Sequence, residues 1–325
     1  MIIRKYNKGD EHQILKLDRL VETHPWNRRN IDNWYWKYKG LNPFGKSLTW
    51  VAQNKKKIVA TFSIIPLEYK IKNKVIKGAC SIAMIVHPDY QNKGLIKFVA
   101  DKLFENAKIN KIKFIYGYPN DNAYLIHKKF FLYEDISMQR LFHKKMLNKK
   151  IYPLLDDIKI KEIKKFDKKI NFFLNKVKNQ RIMFLNRNSK FLNWRYSQRP
   201  DINYKKFSFL NKKNSIIGYI VLKVYHENKI KRGHIVDLYY DINFPKIFEK
   251  MVNFSLNYFS RFKCNELTLW IQGDKKASNL LIKNAFKIKS TRPMICKFLN
   301  VSRNEKKLMN KKNWYFTMGD TLEIY

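Results

Sequence analysis

A turn with one glycine follows an apolar segment, and its residue types suit the binding of an anion. The turn is Gln91 to Ile96 (QNKGLI), and it comes after Val86-His87-Pro88 and before an amphipathic stretch. Successive backbone N–H groups at the start of a helix form a pocket for phosphate, and glycine allows the backbone to approach it closely. The pattern predicts a phosphate site, against the alternative of a turn that serves folding alone.

The elements that position this turn occur twice along the chain. Trp36-Lys37-Tyr38 and a polar hairpin at 53–62 recur as Trp194-Arg195-Tyr196 and a hairpin at 211–220. Each copy then predicts a strand, a turn, a helix with apolar residues at three-to-four spacing, a strand, and a short helix. Asn120 and Asp274 are the expected N-caps of the two short helices. The chain therefore predicts two α/β units of the same plan.

The predicted fold class is α/β in the α+β sense: two tandem units, each a mixed, largely antiparallel twisted sheet flanked by helices. We expect one unit at residues 1–145 and the second at 146–325, joined within 144–165, where charge rises and periodicity fades. The first hairpin is expected to continue with a partner strand at 67–76 and a further strand at 79–86. The segment 314–320 also resembles a strand.

Composition narrows the function classes. The chain has 325 residues, a formal net charge of +41, and no apolar run of about eighteen residues, so we expect a soluble cytoplasmic protein without a transmembrane segment. Its three cysteines lack C-x-x-C spacing, which predicts neither a disulfide framework nor a metal site. Lysines occur in all segments rather than in a nucleic-acid motif, so no specific nucleic acid is predicted, although the charge is compatible with a nonspecific polyanion contact.

The order strand, Q-x-x-G turn, helix, strand, N-x-x-A helix resembles the GNAT superfamily of acyl-CoA-dependent N-acyltransferases, in a tandem arrangement. The motif match covers about residues 79–132. The family's turn ends in a small residue where this chain has Ile96, a departure expected to narrow the phosphate cradle. The resemblance implies acetyl-CoA as cosubstrate, held by a set of first-unit residues: Ile85, Val86, Gln91, Asn92, Lys93, Gly94, Leu95, Ile96 and Asn120.

The resemblance also implies a direct attack of an amine on the thioester, with a backbone N–H near Ile85 or Val86 stabilising the oxyanion. The family protonates the departing thiolate with a tyrosine four residues after the alanine of N-x-x-A, and that position here is His127. Tyr124 lies one helical turn earlier. An ordinary thiol pKa of about 8.5 lies between those of histidine and tyrosine, so both remain candidates. His87 is expected to shape the end of the strand.

The second copy lacks the residue pattern of the phosphate-binding turn. Its turn, 241–246 (DINFPK), has no glycine, an added carboxylate and Pro245, which lacks an N–H. We expect it to be a scaffold, an acceptor-site wall or a dimer surface; a homodimer is compatible with the sequence. Asp320, near the end of the chain, is expected either to bind a cationic acceptor between the units or to be a turn residue before a final strand.

The sequence thus predicts an N-acetyltransferase that acts on a primary amine of a small molecule or an amino sugar. Two alternatives remain open. The first is a catalytically lapsed tandem module that binds a polyanion or a membrane surface. The second is a relative that transfers aminoacyl groups from aminoacyl-tRNA.

Overall fold

The structure is a computed structural model that describes residues 1–21, 30–40, 42–146, 151–154, 157–227, 230–244 and 246–322. Its first half contains β1 (Ile2–Lys5), α1 (Asp10–Val21), α2 (Ile31–Trp34), β2 (Leu48–Asn54), β3 (Lys57–Ile71), β4 (Lys74–Val86), α3 (Leu95–Ile109), β5 (Phe114–Gly117), α4 (Asp121–Lys129) and β6 (Glu134–Lys145). Its second half contains β7 (Lys159–Ile163), α5 (Lys169–Lys176), β8 (Met183–Leu185), α6 (Ser189–Tyr196), β9 (Lys205–Leu210), β10 (Ile216–Glu227), β11 (Ile230–Tyr240), α7 (Ile247–Arg261), β12 (Glu266–Gln272), α8 (Lys275–Lys283), β13 (Lys287–Phe298), α9 (Arg303–Leu308) and β14 (Phe316–Thr317).

The strands form one continuous mixed sheet. Their order is β1-β2-β3-β4-β5-β13-β6-β12-β11-β10-β9-β7, with β8 paired to β3 and β14 paired to β12. Most neighbours are antiparallel, whereas β4 with β5 and β11 with β12 are parallel. Helices flank the sheet, as the predicted fold class requires.

Two strands are exchanged at the centre of this sheet. Strand β13, from the second half, lies between β5 and β6, and β6 lies between β13 and β12. The sequence boundary at 145/146 stays a prediction, because the two halves share their central strands. Neither half can complete its hydrogen-bond ladder without the other.

The repeated tryptophans of the sequence meet in space. Trp36 and Trp194 stack with ring centroids 5.0 Å apart. The indole N–H of Trp36 donates to the Trp194 carbonyl at 2.8 Å, and that of Trp194 donates to the Trp36 carbonyl at 3.2 Å. Such a reciprocal contact between equivalent residues is what an approximate two-fold relation between the repeats produces.

Helix α3 packs one apolar face on the first half of the sheet. The predicted face residues Leu95, Val99, Leu103 and Ala107 are all buried, in a cluster with Phe62 of β3. The opposite side of the sheet contributes to the main core, which joins both halves. The helical periodicity therefore predicted this packing face correctly.

The predicted strand at 67–76 is wrong. Strand β3 continues without a break to Ile71, and a tight turn at residues 72–73 leads into β4. The sequence misleads here because Pro66 suggests a break. However, β2 pairs with β3 only as far as Ile64, so Pro66 lies where one side of β3 has no neighbouring strand.

The expected N-caps are confirmed, and the end of the chain differs in part from its prediction. Asn120 accepts a hydrogen bond from the N–H of Ala123, and Asp274 accepts one from the N–H of Ala277. In the segment 314–320, only Phe316–Thr317 is a strand, and a 3-10 turn follows at Met318–Thr321. None of the described helices is both long enough and apolar enough to cross a bilayer.

Candidate active site

The site begins where two parallel strands separate. Strands β4 and β5 pair only over Gly78–Cys80 and Phe114–Tyr116. Beyond Cys80, β4 continues along β3 to Val86, whereas β5 ends at Gly117. The separation leaves an opening between the two strands, at the end of β4 from which the chain continues into the turn at 91–96.

A bulge in β4 borders the opening. The register with β3 shifts so that Thr61 faces Ile85 and Ser63 faces Ile82, which leaves Ala83 and Met84 opposite Phe62. Ala83 has a φ of 46°, a left-handed conformation that is uncommon for alanine. A bulge disrupts the ladder locally and frees backbone groups for other partners. The oxyanion donor is therefore expected at Ala83–Met84.

This position lies upstream of the residues that the sequence indicated. Ile85 and Val86 pair with Thr61 and Ala60 in the regular ladder, and the N–H of His87 extends that ladder by donating to the Val59 carbonyl. A contact of Ile85 or Val86 with a cofactor stays a prediction. Nothing in the residue types of this apolar strand marks the bulge.

The turn at 91–96 offers unpaired donors. A 3-10 turn at Pro88–Tyr90 leads into it, Asn92 has a φ of 60°, and Gly94, with a φ of 71°, is the N-cap of α3. Among the described residues, the N–H groups of Lys93, Gly94 and Leu95 donate to no protein acceptor. A helix N-terminus with free N–H groups favours an anion.

Gly94 stands in open space. A Cβ placed on it would meet no heavy atom within 4 Å. Leu95 is buried in the core, and Ile96 is half-buried and packs against the same apolar cluster. The branched side chain of Ile96 is therefore engaged with the core, which counts against the expected narrowing of the cradle.

Several side chains of the turn hold its shape. Gln91 Nε2 donates to the Val86 carbonyl at 3.1 Å, and Lys93 Nζ donates to the Asp89 carbonyl at 2.8 Å. His87 Nδ1 accepts a hydrogen bond from the Asp89 N–H, as the expected shaping role requires. The side chains of Gln91 and Lys93 thus stabilise the turn itself, and the N–H donors are the groups that it leaves for a ligand.

The two candidate proton donors on α4 have different surroundings. His127 is 4% exposed, its Nδ1 donates to the Ala123 carbonyl at 2.7 Å, and its ring packs edge-on against Phe62 and Tyr133. Burial lowers the pKa of His127 to about 4. Its imidazole is therefore neutral near pH 7.

Tyr124 lies nearer the surface of the same helix. Its hydroxyl donates to Asp135 at 3.0 Å, and Lys128 donates to the other oxygen of that carboxylate at 2.7 Å. The hydrogen bond to Asp135 raises the pKa of Tyr124 above its ordinary value. The catalytic roles of Tyr124 and His127 stay predictions.

In the equivalent turn of the second half, most of the described N–H groups donate within the protein. Lys246 occupies the left-handed N-cap position, with a φ of 57°. The N–H of Ile242 donates to Gln180, and that of Asn243 donates to the Asp241 carboxylate. Pro245 lies outside the described residues. Since a lysine occupies the position of Gly94 here, the fold does not require glycine at this left-handed residue.

A cavity of about 470 Å³ lies at the other end of the sheet, away from this opening. Its lining includes Phe44, Pro66, Lys77 and Asn106, the last on the final turns of α3. The cavity therefore faces the end of α3 opposite the N–H donors.

Comparison with known proteins decides the family of the first half. Residues 2–130 match the family model described as an acetyltransferase (GNAT) domain. Residues 2–130 are a GNAT domain. The chain therefore carries a GNAT domain; it is an acyltransferase, and its cosubstrate is an acyl-CoA.

Three further proteins are similar over most of the chain. A protein of Amsacta moorei entomopoxvirus with the provisional name glycylpeptide N-tetradecanoyltransferase is 25% identical over 267 residues, which cover 77% of this chain and 81% of the relative. A tandem GNAT protein from the clavulanic acid biosynthesis pathway superposes with a TM-score of 0.63 at 10% identity, covering 93% of this chain and 99% of that one. Saccharomyces cerevisiae N-myristoyltransferase superposes with a TM-score of 0.60 at 11% identity, covering 92% and 78%. These two structures share the fold of this chain.

Proposed function

We propose that this GNAT acyltransferase binds one acyl-CoA in the first opening and transfers the acyl group to the N-terminal amine of a peptide. The observation that carries the placement is the coincidence of three features in one half: the separation of β4 and β5, the bulge at Ala83, and the free N–H groups of 93–95. The turn would hold the CoA phosphates, and the bulge would face the thioester.

The chemistry needs little from side chains. The neutral amine attacks the thioester carbonyl, a C–N bond forms, the C–S bond breaks, and one proton passes overall from the amine to the thiolate. A backbone N–H at the bulge stabilises the negative charge on the carbonyl oxygen. The chain's own contribution is therefore mainly orientation and a preorganised donor.

Among side chains, Tyr124 is the better candidate for the thiolate proton. The one N–H of neutral His127 is already donated to the Ala123 carbonyl, inside an aromatic cluster. Tyr124 is only half-buried, so its hydroxyl is within reach of a ligand that approaches α4. Its raised pKa makes it a weak acid, so Asp135 is expected to limit its contribution.

The peptide acceptor is supported by the relatives rather than by the site. One similar protein bears the name of a glycylpeptide N-tetradecanoyltransferase, and one similar fold is an N-myristoyltransferase that was crystallised with bound myristoyl-CoA. The small-molecule amine that the sequence predicts is the competing acceptor. The same names favour a long acyl chain over acetyl.

The test combines two acyl donors with three kinds of amine acceptor. Free thiol release is measured with acetyl-CoA and with tetradecanoyl-CoA, against a glycine-initiated peptide, the same peptide with a blocked N-terminus, and a panel of small amines. We expect release with the long-chain donor and the free peptide only. Release with acetyl-CoA and small amines would instead support the small-molecule acceptor that the sequence predicts.

If no combination releases thiol and millimolar acyl-CoA gives no thermal protection, the proposed acyltransferase activity is refuted. In that case, salt-dependent binding to nucleic acid or anionic lipid tests the catalytically lapsed module, which the net charge of +41 suggests.

A Gly94→Trp variant is the control for thermal protection, because a large side chain at the phosphate turn should abolish protection by acyl-CoA.

A further inference from the structure

The second half repeats the opening of the first. Strands β11 and β12 pair in parallel only over Arg232–Ile235 and Glu266–Leu269. The register of β11 with β10 then shifts at Val236, which is the counterpart of the bulge at Ala83. By backbone geometry alone, the chain has two places where an acyl-CoA could lie between separating strands.

The second opening is occupied by the chain's own tail, defined here as residues 314–322. Strand β14 pairs with Ile271 and Gln272 of β12. On the other side, the Tyr315 hydroxyl donates to the Leu238 carbonyl at 2.7 Å, and Thr317 Oγ1 donates to Asp237 at 2.8 Å. The tail therefore bridges β11 and β12 and fills the gap between them.

A buried cation holds this tail. Arg187 Nη2 donates to Asp320 Oδ2 at 2.6 Å, and Arg187 Nε donates to Asp237 Oδ1 at 3.2 Å, with all three side chains about 1% exposed. The Thr317 N–H also donates to Asp320 Oδ2, at 2.7 Å. Removing one partner of such a buried network leaves an uncompensated charge, so the network fixes the tail strongly.

The same tail reaches the first opening. The Tyr116 hydroxyl donates to the Asp320 carbonyl at 2.8 Å, and Cys80 Sγ lies 4.0 Å from the Thr321 carbonyl. Cys80 and Tyr116 are the last pair of β4 and β5 before the strands separate. Their side chains belong to the main core, on the side of the sheet opposite the packing face of α3.

We propose that Arg187 is a positioning residue for acyl transfer at the first opening. By holding Asp320 in the second opening, it fixes the turn 318–321 against Cys80 and Tyr116, and so sets the geometry of the first opening on the side of the sheet opposite α3. The second opening accordingly takes no acyl-CoA. This inference rests on the proposed function for the reaction itself, and on contacts alone for the closure of the second opening.

The test uses the full chain and two mild variants. Asp320→Asn keeps the size of the side chain and removes its charge, and Arg187→Lys keeps the charge and removes the planar fork. The matched control is Arg232→Lys, which alters another ion pair of β11, that with Glu266, at the far end of the strand. Calorimetry gives the stoichiometry and dissociation constant of tetradecanoyl-CoA, thiol release gives kcat and the acceptor KM, and thermal unfolding gives the folded fraction.

We expect one acyl-CoA per chain, and a dissociation constant unchanged within about twofold in both variants. We expect kcat to fall by about 10- to 100-fold, because small misplacements of a reacting centre have effects of that size. The control should keep its kcat. Two acyl-CoA molecules per chain, a kcat within about twofold of the unaltered protein, or an equal loss in Arg232→Lys would overturn the proposal.

Hydrogen–deuterium exchange separates this inference from the proposed function. If the unaltered protein releases no thiol, the proposed function fails, and exchange then decides the positioning role. Faster exchange at 78–86 and 114–118 in Asp320→Asn, with unchanged exchange in Arg232→Lys, supports the contact. Unchanged exchange at these segments in Asp320→Asn overturns it.

Discussion

Substitution of Gly94 tests whether the turn binds phosphate or serves folding alone. In Gly94→Ala, the new Cβ meets no heavy atom within 4 Å, so no protein clash arises. The residue keeps a φ of 71°, and a left-handed alanine costs about 1–2 kcal/mol relative to glycine. For a chain of this length, a loss of that size lowers Tm by about 1.5–3 °C.

The effect on acyl-CoA should be larger than the effect on folding. The Cβ would project into the space that a phosphate needs in order to reach the N–H groups of Lys93, Gly94 and Leu95. Loss of one hydrogen bond to a charged oxygen costs about 1.5–3 kcal/mol, which corresponds to a dissociation constant roughly 10- to 100-fold larger. Calorimetric titration with tetradecanoyl-CoA and CoA, beside thermal unfolding, separates the two effects.

Lys246 supplies the matched control, because it has a left-handed φ of 57° at the equivalent N-cap of α7. Lys246→Gly should raise stability by about 1 kcal/mol and leave acyl-CoA binding unchanged. If Gly94→Ala binds acyl-CoA as tightly as the unaltered chain while its Tm falls as calculated, the turn is structural and the reasoning fails. Equal effects of both variants on binding would contradict it as well.

Two further predictions concern α4. The folded-state pKa of His127 is about 4, below its ordinary 6.5, so stability should fall as pH drops below 6.5 and level off below 4. At pH 5 the loss in the free energy of unfolding is about 2 kcal/mol, and His127→Phe should abolish this loss. Urea unfolding of both proteins from pH 7.5 to 5 measures the difference. An identical pH dependence in the two proteins would contradict the burial of a neutral imidazole. Tyr124→Phe should lower kcat by about tenfold or more. Asp135→Asn removes the cause of the raised tyrosine pKa, so it should maintain or increase kcat. A fall of kcat in both variants would indicate a structural role for the pair.

Local sequence signals predicted much of the framework because they act within a few residues. The polar N-caps Asn120 and Asp274, the apolar face of α3, and the two hairpins each depend on backbone hydrogen bonding and periodicity over one or two turns. The internal repeat extended these local signals into a tandem plan. The Q-x-x-G turn with Gly94 was equally local, and the structure gives it the free N–H groups that the pattern predicts.

The remaining features depend on partners distant in sequence. The bulge at Ala83 arises from the register between β3 and β4. The residue types of the two strands do not indicate where that register shifts by one residue. His127 has the same type and spacing whether it faces solvent or an aromatic cluster, and only the packing of α4 on Phe62 decides its pKa.

The sequence by itself determined the two repeated units and the turn in the first that suits a phosphate. The tertiary structure alone decided how the units depend on each other: β6 and β13 change places, and the tail fills the second opening under the hold of Arg187. The physical reason is that strand neighbours and buried ion pairs join residues more than a hundred positions apart. Their free energy depends on burial and geometry that no local pattern encodes.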